Sequence, residues 1–396
     1  MKYFLICIFS LLSRQLVTAQ IAEAQSDQFL RDQVMKEATI AFEKKTKRLD
    51  SAVAASDKKI EQLNKQIPDL KDANAIAKNL QARLSLIESR QTTLEQGEMI
   101  VYQVNFQSAI INLVSMEREI KPLVLFRSTK DFYGFLEDVS NPMNYSGYSA
   151  WYKTFQNYLE TNKGGDALLN VSSTLLKLTG NLSGNSPLTG TIAQALFQSI
   201  SKFISSLGTK KKELREESEK MFALTVKLAH FTDEKNLIET EWESIAKELD
   251  ELQQHYEQLK KGNFQLLKIS PQNFEQKFTR ENDAYKRLNF LNDLSGIAAH
   301  SIEKLKVNSP KDWKEMVYYQ MMDVQALKIR FGRITFKIKE NIEKYNRLLQ
   351  RYKSDSELGS KIPALESRLE ELAETFDKTF SPLDYISSAT RMFKVM

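Results

Sequence analysis

Residues 209–262 read TKKKELREESEKMFALTVKLAHFTDEKNLIETEWESIAKELDELQQHYEQLKKG. Apolar or aromatic side chains stand at Met221, Leu224, Leu228, Phe231, Ile238, Trp242, Ile245, Leu249, Leu252, Tyr256 and Leu259, in steps of three and four. Lys235 fills the one skipped position. That spacing lines a single stripe of an α-helix and asks for a partner helix. A helix from Leu214 to Leu259 would be about 69 Å long at about 1.5 Å per residue. Such a length exceeds the width of a compact domain and implies an elongated molecule.

The same period recurs along the chain. Leu49, Val53, Ile60, Leu63 and Ile67 make one run, ended near Pro68. Leu80, Leu84, Ile87 and Leu94 make another, continuing through Phe106, Ile110 and Leu113 until Pro122. Val324, Leu327, Phe331, Ile334 and Ile338 lead to Tyr345, Leu348 and Tyr352, and a last helix starts near Pro363 with Leu365, Leu369, Leu372 and Phe376. Breaks are expected at Pro68, Pro122, Asn141-Pro142, Lys163-Gly164-Gly165, Gly262 to Pro271, Ser309-Pro310 and Gly359 to Pro363. Only 13 Gly and 8 Pro punctuate 396 residues, which disfavours an all-β chain. The expected fold is all-α: an elongated antiparallel bundle of long amphipathic helices with coiled-coil segments, a central helical hairpin and a small aromatic-rich cap.

The order of segments follows. Residues 1–19, MKYFLICIFSLLSRQLVTA, read as a secretory signal, with Lys2 ahead of an apolar core from Tyr3 to Leu12 and a small-residue exit at Val17-Thr18-Ala19. Residues 20–121 hold the N-terminal long helices, 122–165 an aromatic-rich cap, 166–207 a low-charge hairpin, 208–262 the long coiled-coil helix and 263–396 the C-terminal helices. Removal of the signal takes away Cys7, the only cysteine, and lowers the formal charge from +5 to +3 as Lys2 and Arg14 leave. The mature chain then has no thiolate chemistry, and its weak positive bias is no nucleic-acid footprint.

Two segments depart from the helical norm. Phe126 to Tyr158 carries ten aromatics in 33 residues. Tyr145, Tyr148, Trp151 and Tyr152 are the candidates for an exposed aromatic surface, since Tyr and Trp suit sugars, headgroups or a partner, or else they pack a cap onto the bundle. Ala167 to Leu207 has Lys177 and Lys202 as its only charges, where the chain's 27% average would give about eleven. Leu168, Val171, Leu175, Leu178 and Leu182 step by three and four, as do Ile192, Leu196, Ile200, Phe203 and Leu207, with Gly180 to Pro187 between them. Such a hairpin is either an inner layer of the bundle or a conditional membrane element, with Lys210, Lys211 and Lys212 as candidate headgroup contacts.

Catalytic and cofactor signatures do not emerge. His230, His255 and His300 lie far apart and outside metal-ligand spacings, and no phosphate-cradling glycine pattern or nucleophile elbow is found. No enzyme, no cofactor and no nucleic acid are expected. A protein partner or a homo-oligomer is expected instead.

This layout of long amphipathic helices, a low-charge hairpin and further long helices resembles the secreted bacterial α-helical pore-forming toxins of the cytolysin A and tripartite enterotoxin type. The resemblance implies a soluble bundle whose 167–207 element rearranges into membrane on oligomerisation. Lys177 and Lys202 inside that element depart from the pattern. Two functions are therefore expected from the sequence: an exported scaffold or binding protein, and the pore-former.

Overall fold

The computed structural model describes residues 2–69, 72–127, 139–161, 200–205 and 212–389 together with residues 136 and 207; among them no strand occurs and the fold is all-α. The helices are α1 (Lys2–Gln66), α2 (Ala73–Arg127), α3 (Tyr148–Thr161), α4 (Lys212–Leu267), α5 (Ala284–Asn308), α6 (Trp313–Tyr352), α7 (Ile362–Thr379) and α8 (Pro382–Ala389).

Local chemistry explains several of the helix ends. A 3-10 turn at Ile67–Asp69, containing Pro68, closes α1. Lys268 stops α4 in the left-handed conformation at φ 55°, the place a glycine commonly takes. Asp283 caps α5 by accepting from the Tyr285 amide at 2.8 Å. Pro363 sits in the first turn of α7, where its missing N–H costs nothing.

One expected break is overturned: α2 continues past Pro122 to Arg127. The break expected between Gly262 and Pro271 falls at residues 268–270, so α4 runs past Gly262 to Leu267. A proline inside a helix costs about 3 kcal/mol. Ile120 and Leu123 are both buried beside it, so packing on either side of Pro122 outweighs that cost. A glycine costs only about 1 kcal/mol, and Phe264 and Leu267 beyond Gly262 are buried.

The chain divides into two units, with divisions inside α4 after Glu248 and inside α6 after Arg333. Unit 1 comprises residues 1–124, 249–333 and 381–396. In it α1 and α2 form an antiparallel hairpin. Asn79 Nδ2 donates to the Leu63 carbonyl at 3.1 Å, Arg90 meets Asp57 at 2.6 Å and Arg31 meets Glu119 at 2.8 Å. α5 runs antiparallel to α2, with Gln107 Nε2 donating to the Ser295 carbonyl at 3.0 Å and Gln103 to Glu303 at 3.1 Å. The first half of α6 runs parallel to α2, tied by Lys314 to Glu98 at 2.6 Å and by Lys328 to Asn112 at 2.9 Å. α8 closes against α6 at Gly332, where an added Cβ would stand 2.9 Å from Ile386 Cγ1 and 3.0 Å from the Pro382 carbonyl.

Unit 2 comprises residues 125–248 and 334–380. Its framework is the antiparallel pairing of α4 with α6. Lys337 meets Glu248 at 2.5 Å, Lys344 meets Glu241 at 2.7 Å, and Arg351 meets Glu234. Bases on one helix and acids on the other therefore recur every seven residues, the flanking-charge pattern of a two-helix seam. Between these rungs lie Ile238, Ile245, Ile338, Ile342 and Tyr345, all buried. Lys235, the skipped apolar position, is also buried and pairs with Glu239 at 2.9 Å. α7 lies antiparallel on α6, with Gln350 donating to Glu366 at 2.7 Å and Lys339 meeting Asp377 at 2.8 Å.

Candidate functional site

Of the residues singled out in the sequence, Leu168, Val171, Leu175, Leu178, Leu182, Ile192, Leu196, Lys210 and Lys211 lie outside the described residues. Ile200 and Phe203 are buried in unit 2, and Leu207 is half-buried. Lys212 is exposed at the start of α4, 3.9 Å from Glu216.

The aromatic surface is corrected. Tyr145, Tyr148, Trp151 and Tyr152 are all buried, so none offers its ring to a ligand or partner. They build a column instead. The Trp151 and Phe155 rings stack with centroids 5.4 Å apart, and Phe155 meets Phe203 edge-on at 5.1 Å. Two of the polar tips find partners inside: Trp151 Nε1 donates to Ser218 Oγ at 3.0 Å, and the Tyr145 hydroxyl donates to the Val139 carbonyl at 2.9 Å. Burial raises the Tyr145 pKa, helped by Asp355 and Glu357. Large aromatics with satisfied polar tips are payload for a core. Gly147, at φ 80°, makes the turn that leads the chain into α3.

Unit 1 contains a charged cluster that sequence reasoning missed. Glu117, Arg118 and Glu119 are consecutive on α2, and all three are buried. Successive residues of a helix point about 100° apart, so the three reach different neighbours. Glu117 accepts from the Tyr256 hydroxyl at 2.7 Å and from Lys260 at 2.8 Å, both on α4. Arg118 donates to the carbonyls of Phe278 and Glu281, each at 3.2 Å, in the connection between α4 and α5. Glu119 takes Arg31 of α1. Arg287 of α5, also buried, donates to the same Glu281 carbonyl at 2.8 Å.

The electrostatics follow from this burial. Burial alone would raise the Glu117 carboxyl; the bonds from Lys260 and Tyr256 outweigh it and hold that carboxyl below its ordinary value. The Tyr256 and Tyr385 hydroxyls are pushed well up, first by burial and then by Glu117 and Glu119 respectively. Lys328 of α6 is buried and its pKa is lowered to about 8, chiefly by desolvation and then by Arg31, while Glu119 and Asp32 oppose. Such a cluster fixes which helix faces meet, because any other register leaves a buried charge unpaired. Its sequence signal was present: Glu117-Arg118-Glu119 stands in a stretch from Ala109 to Leu123 that is otherwise mostly apolar.

A second feature lies on the outside. Leu80, Leu84, Ile87 and Leu94 of α2, read from the sequence as a stripe to be buried, are 49%, 57%, 47% and 38% exposed. The residues that α2 turns to α1 include Asn79, Arg90 and Gly97, one position round the helix. A further outward row on α6, Tyr318, Met322 and Ile329, is also exposed in unit 1. A cleft of about 330 Å³ opens between α1, α2 and α5, its wall mixing Ala38, Ala41 and Ala299 with larger side chains such as Phe42, Lys45 and Gln103.

The histidines do not converge. His230 and His300 are exposed, His300 lying 3.1 Å from Glu303, and His255 is half-buried. Among the described residues no group of three His, Cys, Asp or Glu side chains is placed to hold a metal ion, and no helix is long and apolar enough to cross a membrane. Comparison with family models, curated proteins and solved structures finds no match to this chain.

Proposed function

We propose that this protein is an exported, non-enzymatic helical scaffold that holds protein partners in the cell envelope or outside the cell. The observation that carries this reading is the pair of exposed apolar rows, Leu80-Leu84-Ile87-Leu94 on α2 and Tyr318-Met322-Ile329 on α6. Exposed rows at helical spacing are surfaces that a partner helix covers. The charged clusters support it from within, because their bonds run from helix to helix and act as bracing. Export rests on the signal-like residues 1–19. The alternative is an α-helical pore-former that inserts residues 167–207, a reading favoured by the charge depletion of that stretch.

One experiment separates the two. The chain lacking residues 1–19 is added to dye-loaded vesicles of phosphatidylcholine alone and of phosphatidylcholine with phosphatidylglycerol. A scaffold leaves the dye inside at all compositions. Concentration-dependent release, abolished by a disulfide that ties the 167–207 segment to the bundle, would overturn the scaffold in favour of the pore.

A further inference from the structure

The apolar row on α2 has a definite heptad grammar. With Leu80, Ile87 and Leu94 at the d positions, Leu84 and Gln91 fall at a, Arg83 and Arg90 at g, and Glu88 and Glu95 at e. All four apolar members are exposed, and α1 lies against a neighbouring face of α2, so α1 cannot cover them. What covers them is decided by the flanking charges.

In a parallel pairing of two such helices, each g residue meets the e residue five positions on in the partner. Arg83 then meets Glu88 of the second copy and Arg90 meets its Glu95, and two-fold symmetry repeats both pairs. In an antiparallel pairing g meets g and e meets e, which would set arginine against arginine and glutamate against glutamate. A shift of one heptad leaves Arg83 opposite Glu95 and Arg90 opposite Tyr102, losing half the pairs. Gln91 at a is the polar residue that fixes register at some cost in stability. Arg90 already meets Asp57 of its own α1 at 2.6 Å, but 39% of its side chain is exposed and its guanidinium has donors to spare.

We infer that α2 is a self-association seam, pairing two copies of this chain in parallel and in register along residues 80–94. The inference rests on the scaffold reading, and supplies a second copy as one of the partners that reading requires. The closed two-fold contact uses the same patch on each copy, so it terminates at a dimer.

The test uses the chain lacking residues 1–19, which contains no cysteine. Leu80→Cys and Leu94→Cys are made separately, with Tyr319→Cys on α6 as control. Under mild oxidation both α2 variants are expected to form disulfide-linked dimers, because only an in-register parallel pairing sets each position against itself. The control is expected to remain single-chain. Sedimentation should show a dimer for the parent chain and its loss in Ile87→Glu, with helical circular dichroism unchanged because Ile87 is already exposed. A monomeric parent, or cross-linking only between Leu80→Cys and Leu94→Cys mixed together, would overturn the inference. A monomer that leaves vesicles intact sinks the seam and spares the scaffold. Dye release by that monomer sinks the scaffold as well.

Discussion

Lys328 shows how one side chain can set the pH behaviour of a helical core. Its ammonium is buried, donates to Asn112 Oδ1 at 2.9 Å and faces Arg31, Glu119 and Asp32. Below pH 8 both folded and unfolded chains carry the charge, so the folded state bears the full cost of burying it. Between its lowered pKa of about 8 and the ordinary 10.5, the unfolded chain holds a proton that the folded chain has released, so stability rises with pH. Above about pH 10 the buried Tyr256 and Tyr385, which keep their protons when folded, reverse the trend. Lys328→Met is expected to stabilise the fold at pH 7 by about 1–3 kcal/mol and to flatten the rise between pH 8 and 10 in urea titrations. A Met variant less stable than the parent at pH 7 would refute this account. Glu119→Ala is expected to act the other way. Removing the carboxylate leaves the Arg31 guanidinium buried with only the more exposed Asp32 beside it, at a cost of about 3 kcal/mol. A midpoint shift within error of the parent would show that the pair does not lock α1 to α2.

At the scale of elements, the ends and close approaches of helices make separable predictions. Gly332 sits where α8 crosses α6, and any Cβ there must displace Ile386, Tyr385 or the Pro382 carbonyl. Alanine is the better helix former by about 1 kcal/mol. Gly332→Ala is nonetheless expected to lower the melting temperature and speed amide exchange in α8, because backbone cannot move aside as a side-chain tip can. Faster exchange confined to α1 would point to a different cause. Lys268 holds a left-handed conformation that costs an ordinary residue about 1–2 kcal/mol. Lys268→Gly is expected to stabilise by about 1 kcal/mol, read as a higher denaturant midpoint with unchanged slope. The α4–α6 ladder should matter less for strength than for register, since its rungs are partly exposed and such pairs contribute at most about 1 kcal/mol each.

For the whole molecule, the decisive chemical question is where the chain works. Expressed in a bacterial host with residues 1–19 intact, it is expected to appear outside the cytoplasm with Gln20 as its first residue, read by intact mass. A cytoplasmic chain that keeps Met1 would remove export from the proposal and leave the dimer seam untouched. Loss of Lys2 and Arg14 also leaves the surface close to neutral, so binding to DNA at moderate salt is not expected.

The sequence by itself determined that this chain is helical, because Met221 to Leu259 and Val324 to Tyr352 repeat at three and four and little glycine or proline interrupts them. It also marked Lys235 as an odd member of its stripe, which burial and Glu239 explain. Tertiary structure alone decided which stripes are covered. Leu80 to Leu94 and Leu224 to Tyr256 share one spacing, yet the first is largely exposed and the second largely buried. Periodicity reports that a face is apolar, whereas burial depends on how many neighbours a helix has, and local pattern does not encode that number. Only the assembled bundle placed Tyr145, Tyr148, Trp151 and Tyr152 inside and surrounded Glu117, Arg118 and Glu119 with α1, α4 and the connection to α5. A charge can be buried only where a partner from a distant segment arrives, and that arrival is a property of the fold.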